Sequence, residues 1–242
     1  MKNRIFTVFF LILWVACLGS VQAAVLITYD FTGGINGTLG PISALAPSTT
    51  PPANITATSI SVASGIPGTT FQDNGGNIEL NLLPGASSAG TAAAAVSGNQ
   101  YIEFTLNTPS ASFALDLDNL QLDLRRGGAT GNRHLFLRTS LDAFANDIGP
   151  GVVLAPASTT LTTFTFNDIP LFNNVTDAVT FRLYTYNDGA TNRSVRVDNI
   201  VVNGAVIPEP STVLLLLGGL GALVLLRARK AQGRSQTCAR GE

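Results

Sequence analysis

Phe113-Ala114-Leu115-Asp116-Leu117-Asp118-Asn119-Leu120-Gln121-Leu122-Asp123-Leu124 alternates apolar and polar residues, and the alternation changes phase once. Phe113, Leu115 and Leu117 fall on odd numbers; Leu120, Leu122 and Leu124 fall on even ones. A period of two is what a half-buried β-strand requires, because successive side chains leave a strand on opposite faces. A strand cannot change phase without an extra residue or a turn-over, so Asp118-Asn119 is predicted to mark a β-bulge or a strand corner. The same signature recurs near the end of the chain. Val195 and Val197 are odd, Ile200 and Val202 are even, and the change again falls on an Asp-Asn pair, Asp198-Asn199. A short carboxylate at such a place can accept hydrogen bonds from neighbouring backbone N–H groups.

Outward from these segments, no window between 24 and 206 keeps a helical period. Short alternating runs are separated by Gly, Asn, Pro and Ser, the pattern of an all-β sandwich or barrel. Val25 to Phe31 reads as a first strand, and Thr32 to Pro52 as a long polar connection. Ile55 to Val62 reads as a weak strand, Asn74-Gly75-Gly76-Asn77 as a turn and Ile78 to Leu82 as the strand after it. Ala92 to Val96 fits a strand or a brief helix; Tyr101 to Leu106 is a strand with Ile102, Phe104 and Leu106 on one face. Leu120 to Thr139 and Val179 to Val202 are predicted hairpins, turning at Gly127–Arg133 and at Asp188–Arg193. Both turns carry Gly-Ala-Thr followed by Asn-Arg, an echo that duplication or common turn chemistry can produce, the second being the favoured reading. The expectation is an all-β chain with a single β-sandwich, jelly-roll-like, over residues 24–206.

Both ends read as addressing segments. Lys2 and Arg4 precede an apolar run from Ile5 to Leu18, and Val21-Gln22-Ala23 offers the small residues a signal peptidase reads, with cleavage after Ala23. Cys17 is a rival lipidation site, but Trp14 stands where a lipoprotein box wants leucine. At the other end Pro208-Glu209-Pro210-Ser211 precedes an apolar run from Thr212 to Leu226, closed by Arg227, Arg229 and Lys230. Pro208 to Leu226 would span about 28 Å as a helix, against a hydrocarbon core of about 30 Å. The basic cluster belongs on the cytoplasmic side, which puts Pro208 to Pro210 on the outer face of the inner membrane. This order resembles the PEP-CTERM sorting tail of Gram-negative bacteria. The resemblance implies an exported precursor held by a transmembrane helix, processed by signal peptidase and by the membrane protease exosortase, with its mature form at the cell surface or outside the cell. It also implies an association with exopolysaccharide and biofilm production. Residues 207–230 then form the sorting segment, and 231–242 a cytoplasmic extension longer than such tails usually carry.

Cys17 and Cys238 lie in the two end segments, so residues 24–206 contain no cysteine and no disulfide. That span is long enough to bury a core without covalent staples. It has no lysine; seven arginines face eleven aspartates and two glutamates, a formal charge of −6. An acidic domain without a basic run excludes nucleic acid as a partner. His134 is the chain's one histidine and cannot build a zinc site without cysteines or further histidines. No Gly-x-Ser-x-Gly elbow occurs, and Glu79 and Glu103 show no sign of a glycosidase pair, so the expectation is a protein that is not an enzyme.

Two weaker candidates remain. Tyr184 and Tyr186 share a strand face beside a polar turn, where Asn187, Asp188 and Arg193 could bond sugar hydroxyls; the rival reading is that the tyrosines merely cover the sandwich. Asp30 approaches Asp198 if the first and last strands pair, giving a possible calcium contact, but no complete loop motif supplies the six to eight oxygens calcium takes. No other cofactor is expected. The leading reading is a non-enzymatic surface or extracellular-matrix protein, with a carbohydrate-binding module as the alternative. Ice binding is a third option, because tails of this kind also carry the name of ice-binding proteins. Thr163-Phe164-Thr165 is one threonine pair and not an array.

Overall fold

A computed structural model describes residues 24–31, 47–66, 68–74, 77–82, 90–126, 131–154, 159–187, 195–208, 218–224 and 227. In chain order the strands are β1 (Ala24–Tyr29), β2 (Thr56–Ala57), β3 (Ser61–Val62), β4 (Thr70–Asn74), β5 (Asn77–Leu82), β6 (Tyr101–Asn107), β7 (Phe113–Arg126), β8 (Arg133–Thr139), β9 (Val152–Leu154), β10 (Thr159–Thr165), β11 (Val179–Asn187) and β12 (Val195–Pro208). One short helix, α1 (Ala92–Ser97), precedes β6. The all-β expectation holds.

The strands form two antiparallel sheets of six. One runs β10-β7-β12-β5-β4, with β1 on β12 beyond the short β5. The other runs β6-β11-β8-β9, with β2 and β3 both on the free side of β6. The inner rows meet in one apolar layer: Leu120, Leu122, Leu124, Val197 and Val202 from the first sheet, and Ile102, Phe104, Leu135, Leu137, Phe181 and Leu183 from the second. Each is buried, and full burial of one such side chain contributes roughly 1.5–3 kcal/mol. Tyr29 packs tilted against Phe104, ring centres 5.0 Å apart, and donates its hydroxyl to the Thr58 carbonyl, so its side-chain oxygen is satisfied in the core.

Both phase changes are bulges. Between β12 and β7 the register steps from Asp198↔Asp123 to Val201↔Gln121, one residue more on β12, and from Asn203↔Asn119 to Gly204↔Leu117, one residue more on β7. Asn199 takes the left-handed conformation that the first bulge needs, with φ 49°. Its N–H donates to Asp198 Oδ1 at 2.8 Å.

Several expectations change. The two predicted hairpins are crossovers: β7 and β12 lie in one sheet, and β8 and β11 in the other. Alternation reports that a segment is a strand with one buried face; it does not report which strand it pairs with. Asn187 pairs with Arg133 and Val195 with Arg126, so both crossovers leave the same end of the sandwich side by side. Most of the two connecting segments, 127–130 and 188–194, lies outside the described residues. Ile55 to Val62 is not one strand but two of two residues, because Ala57 and Ser61 bracket a step over β6. Ala92 to Val96 is helical; Thr91 caps it by accepting from the Ala94 N–H, and alanine has the highest helix propensity. β4 was not expected from the sequence. It pairs with β5 across an Asn74↔Asn77 closing rung, as the Asn-Gly-Gly-Asn turn implies. Most of the long connection, residues 32–46, lies outside the described residues.

Candidate functional site

The outer face of the second sheet carries the two tyrosines named for sugar binding, Tyr184 and Tyr186. Strand alternation sends Phe181 and Leu183 into the core and Arg182, Tyr184 and Tyr186 outward. The register then builds three rows across the sheet. Tyr101, Tyr184 and Phe136 form one, Glu103, Arg182 and Arg138 the next, and Tyr186 and His134 a third.

Outward does not mean open. Tyr184 is 2% exposed. Phe136 stacks on its ring at 5.0 Å and Tyr101 tilts against it at 5.0 Å. With Phe136 and Ala95 of α1 it forms a second, smaller apolar cluster, against which Ala92, Val96, Tyr101 and Tyr186 pack. Helix α1 therefore lies over this row as a lid of small residues. Tyr186 is half-buried and stacks on His134 at 4.3 Å with an interplanar angle of 4°. One face of that ring is thus already taken. Asn187 is buried at the end of β11, and Asp188 and Arg193 lie outside the described residues.

The charged row is also covered. Arg182 donates from Nε to Glu103 Oε2 at 2.8 Å, and its guanidinium lies 4.4 Å from the Tyr101 ring centre and 3.8 Å from that of Phe144. Arg138 donates to Asp147 at 2.6 Å and to the Phe144 carbonyl at 2.9 Å. Ala143 and Phe144 both hold left-handed backbone, with φ 57° and 61°. For residues with a Cβ that conformation costs on the order of 1 kcal/mol or more each, and at Phe144 the contacts with the two arginines help hold it in place. Neither the Phe144 clamp nor the Glu103–Arg182 pair was anticipated. The pair depends on strand register, which alternation does not reveal; Phe144 gives no periodic signal at all.

At the opposite sheet, β1 does pair with β12, and Asp30 comes near Asp198 as the sequence suggested. Asp198 sits in the bulge and accepts from the N–H groups of Asn199 and Phe31. Burial pushes its carboxyl above the usual Asp range; those two N–H groups pull it back, and the nearby carboxylates of Asp123 and Asp30 push it further up. Asp123 is in turn held by the Asn199 side-chain amide at 2.9 Å. Asp116, on the bulged β7, accepts from the Asn174 N–H at 2.7 Å and so pins the loop before β11. These carboxylates work on backbone and amide donors. Among the described residues, no group of three or more His, Cys, Asp or Glu side chains is placed to hold a metal ion.

The tail joins the sandwich without a spacer. Val206, Ile207 and Pro208 are the last rungs of β12, opposite Leu115, Ala114 and Phe113. Proline is tolerated there because it ends the strand. Glu209, Pro210, Arg229 and Lys230 lie outside the described residues, as does the segment Met1 to Ala23. Residues 218–224 are helical, with Leu220, Leu223 and Val224 exposed. Among the described residues no helix is long and apolar enough to cross a membrane.

Residues 206–230 match the PEP-CTERM protein-sorting motif. The motif marks an exported precursor, anchored at a membrane for sorting and processed by exosortase. No curated protein is a significant match to the chain. Among solved structures it is similar to a carbohydrate-binding module specific for non-crystalline cellulose, with 13% identity and a TM-score of 0.39 over 60% of this chain and 88% of that one. It is similar to a cleaved adhesin domain of Lys-gingipain from Porphyromonas gingivalis, with 17% identity and a TM-score of 0.37 over 74% and 99%. A mannan-recognising carbohydrate-binding module is similar at 10% identity and a TM-score of 0.33 over 76% and 98%.

Proposed function

We propose, from a sorting motif that continues the last strand of the sandwich, that this chain is a non-enzymatic surface or extracellular-matrix protein of an exopolysaccharide-producing Gram-negative bacterium. The carrying observation is that junction: the motif at 206–230 begins on paired rungs of β12, so what is sorted is the β-sandwich itself. The ectodomain, residues 24–206, is a jelly-roll-like building block whose two crossovers share one end. Export begins at the signal segment 1–23, and the mature form works at the cell surface or outside the cell. Exopolysaccharide is its expected surrounding, and calcium is not required for its fold.

The covered rings support a building block over a lectin platform on this face. Tyr184 has no ring surface to offer, and Tyr186 is stacked on His134 and packed on the α1 cluster. Stacking on a sugar needs an open aromatic face. Two experiments test the proposal. Removing residues 208–230 should abolish surface display in the native host while leaving the sandwich folded and exported. Deleting the whole chain should alter matrix cohesion or composition. A host whose surface and matrix are unchanged by the deletion overturns the reading. Saturable binding of a simple neutral sugar, lost in Y186A with the fold intact, would instead favour the lectin.

A further inference from the structure

Two inward rows of the sandwich end on arginine. Arg126 closes the β7 row of Leu120, Leu122 and Leu124 and is 6% exposed; Arg133 opens the β8 row of Leu135 and Leu137 and is fully buried. The register places both at the crossover end, Arg126 opposite Val195 and Arg133 between Asn187 and Leu154. One guanidinium therefore enters the core from each sheet at the same end. Arg125 and Arg196 face each other across β7 and β12 one rung away. Four of the seven ectodomain arginines thus gather at one end of a domain whose formal charge is −6.

The two buried arginines differ in their bonds. Arg133 donates to the Gly131 carbonyl at 2.9 Å and the Asn132 carbonyl at 3.3 Å. Arg126 has no hydrogen-bond partner for Nε, Nη1 or Nη2 among the described residues. A guanidinium cannot relieve burial by losing its proton. A buried charge without a counter-charge or acceptors is among the costliest arrangements in a protein interior, and such a group calls for an ion or ligand to complete it. None of the register partners, Val195, Asn187 and Leu154, is acidic.

We infer that the crossover end of the sandwich binds an oxyanion, with Arg126 as the group that faces it. The ligand is a planar or tetrahedral group with two or more anionic oxygens: a carboxylate, a sulfate or a phosphate. Its oxygens match the donor fork of a guanidinium and neutralise the charge that the fold has buried. The same chemistry is available from a free inorganic ion or from the acidic substituent of a glycan. The inference does not depend on the matrix reading, since it rests on the arginines alone.

The test is thermal unfolding of the full chain in a non-ionic detergent, at constant ionic strength. Chloride is exchanged for sulfate, phosphate, glucuronate or a polyuronate. The wild type and R138M, whose exchanged arginine pairs with Asp147 on the outer face, should show a saturable rise in melting temperature. R126M should show no rise, and in chloride it should melt no lower than the wild type, because a buried charge with no hydrogen-bond partner among the described residues has been removed. A response to inorganic sulfate or phosphate identifies a free ion as sufficient; a response confined to the polyuronate identifies a glycan substituent. If R126M fails to fold, R126K keeps the charge without the fork and should bind about tenfold more weakly by titration calorimetry. No response to any probe in the wild type, or a response unchanged in the Arg126 variants, overturns the inference.

Discussion

Replacing Asp198 separates a structural bulge from a calcium site. The Asp198 carboxylate accepts from the N–H groups of Asn199 and Phe31, tying the bulge in β12 to the end of β1. D198A leaves both donors without their acceptor, at about 1 kcal/mol each. Removing a partly buried charge beside Asp123 and Asp30 returns some of that, though solvent screening keeps the return small. The net expectation is a loss of about 1–2 kcal/mol. D198N keeps an acceptor oxygen and removes the charge, so it should unfold within about 0.5 kcal/mol of the wild type at neutral pH. The pH dependence follows from the raised carboxyl. The folded state holds its proton more tightly than the unfolded chain, so this group adds stability as pH falls through the raised pKa towards the ordinary value of 3.8. D198N should lack that increment. Urea unfolding followed by circular dichroism, with and without EDTA and across pH, measures all of this. A D198A chain as stable as the wild type refutes the bulge argument. So does a large loss on chelation in the wild type that is absent from both variants, which would make Asp198 a metal ligand stabilising by mass action.

Three further outcomes are expected. Intact-mass analysis of surface protein from the native host should show a chain that starts near Ala24 and ends near Pro208 to Pro210; a stable full-length C-terminus contradicts processing. Y184A should destabilise the fold by about 3 kcal/mol or more, as expected for a buried aromatic under α1, whereas Y186A should cost about 1 kcal/mol; denaturant midpoints that reverse this order contradict the covered face. G204A should be among the most damaging single-methyl additions, because its Cβ would meet the Asp116 carbonyl oxygen at 2.3 Å beside the β7 bulge; an expressed, equally stable variant would show that β12 can shift there.

What the sequence determined by itself is local. Period-two alternation fixed the strand character of β6, β7, β11 and β12, and the phase changes at Asp118-Asn119 and Asp198-Asn199 located the two bulges between β7 and β12, though not the register shift between Val25 and Ile27 in β1. A bulge breaks the pattern that every neighbouring residue obeys, and so it shows in one chain read alone. The tail was legible for a similar reason: tripeptide, apolar run and basic cluster are contiguous. Pairing was not legible. Leu120 to Thr139 looks like a hairpin until β7 and β8 fall in different sheets, because a strand's partner depends on what the rest of the chain buries. The same limit governed the tyrosines. Alternation put Tyr184 on the outer face, but only the arrival of α1 and Phe136 made it a core residue. It likewise took two sheets closing on each other to bring Arg126 and Arg133, which begin and end neighbouring strands in the sequence, into one buried end of the sandwich. Burial of a charge is a property of everything packed around it, and no single segment contains that information.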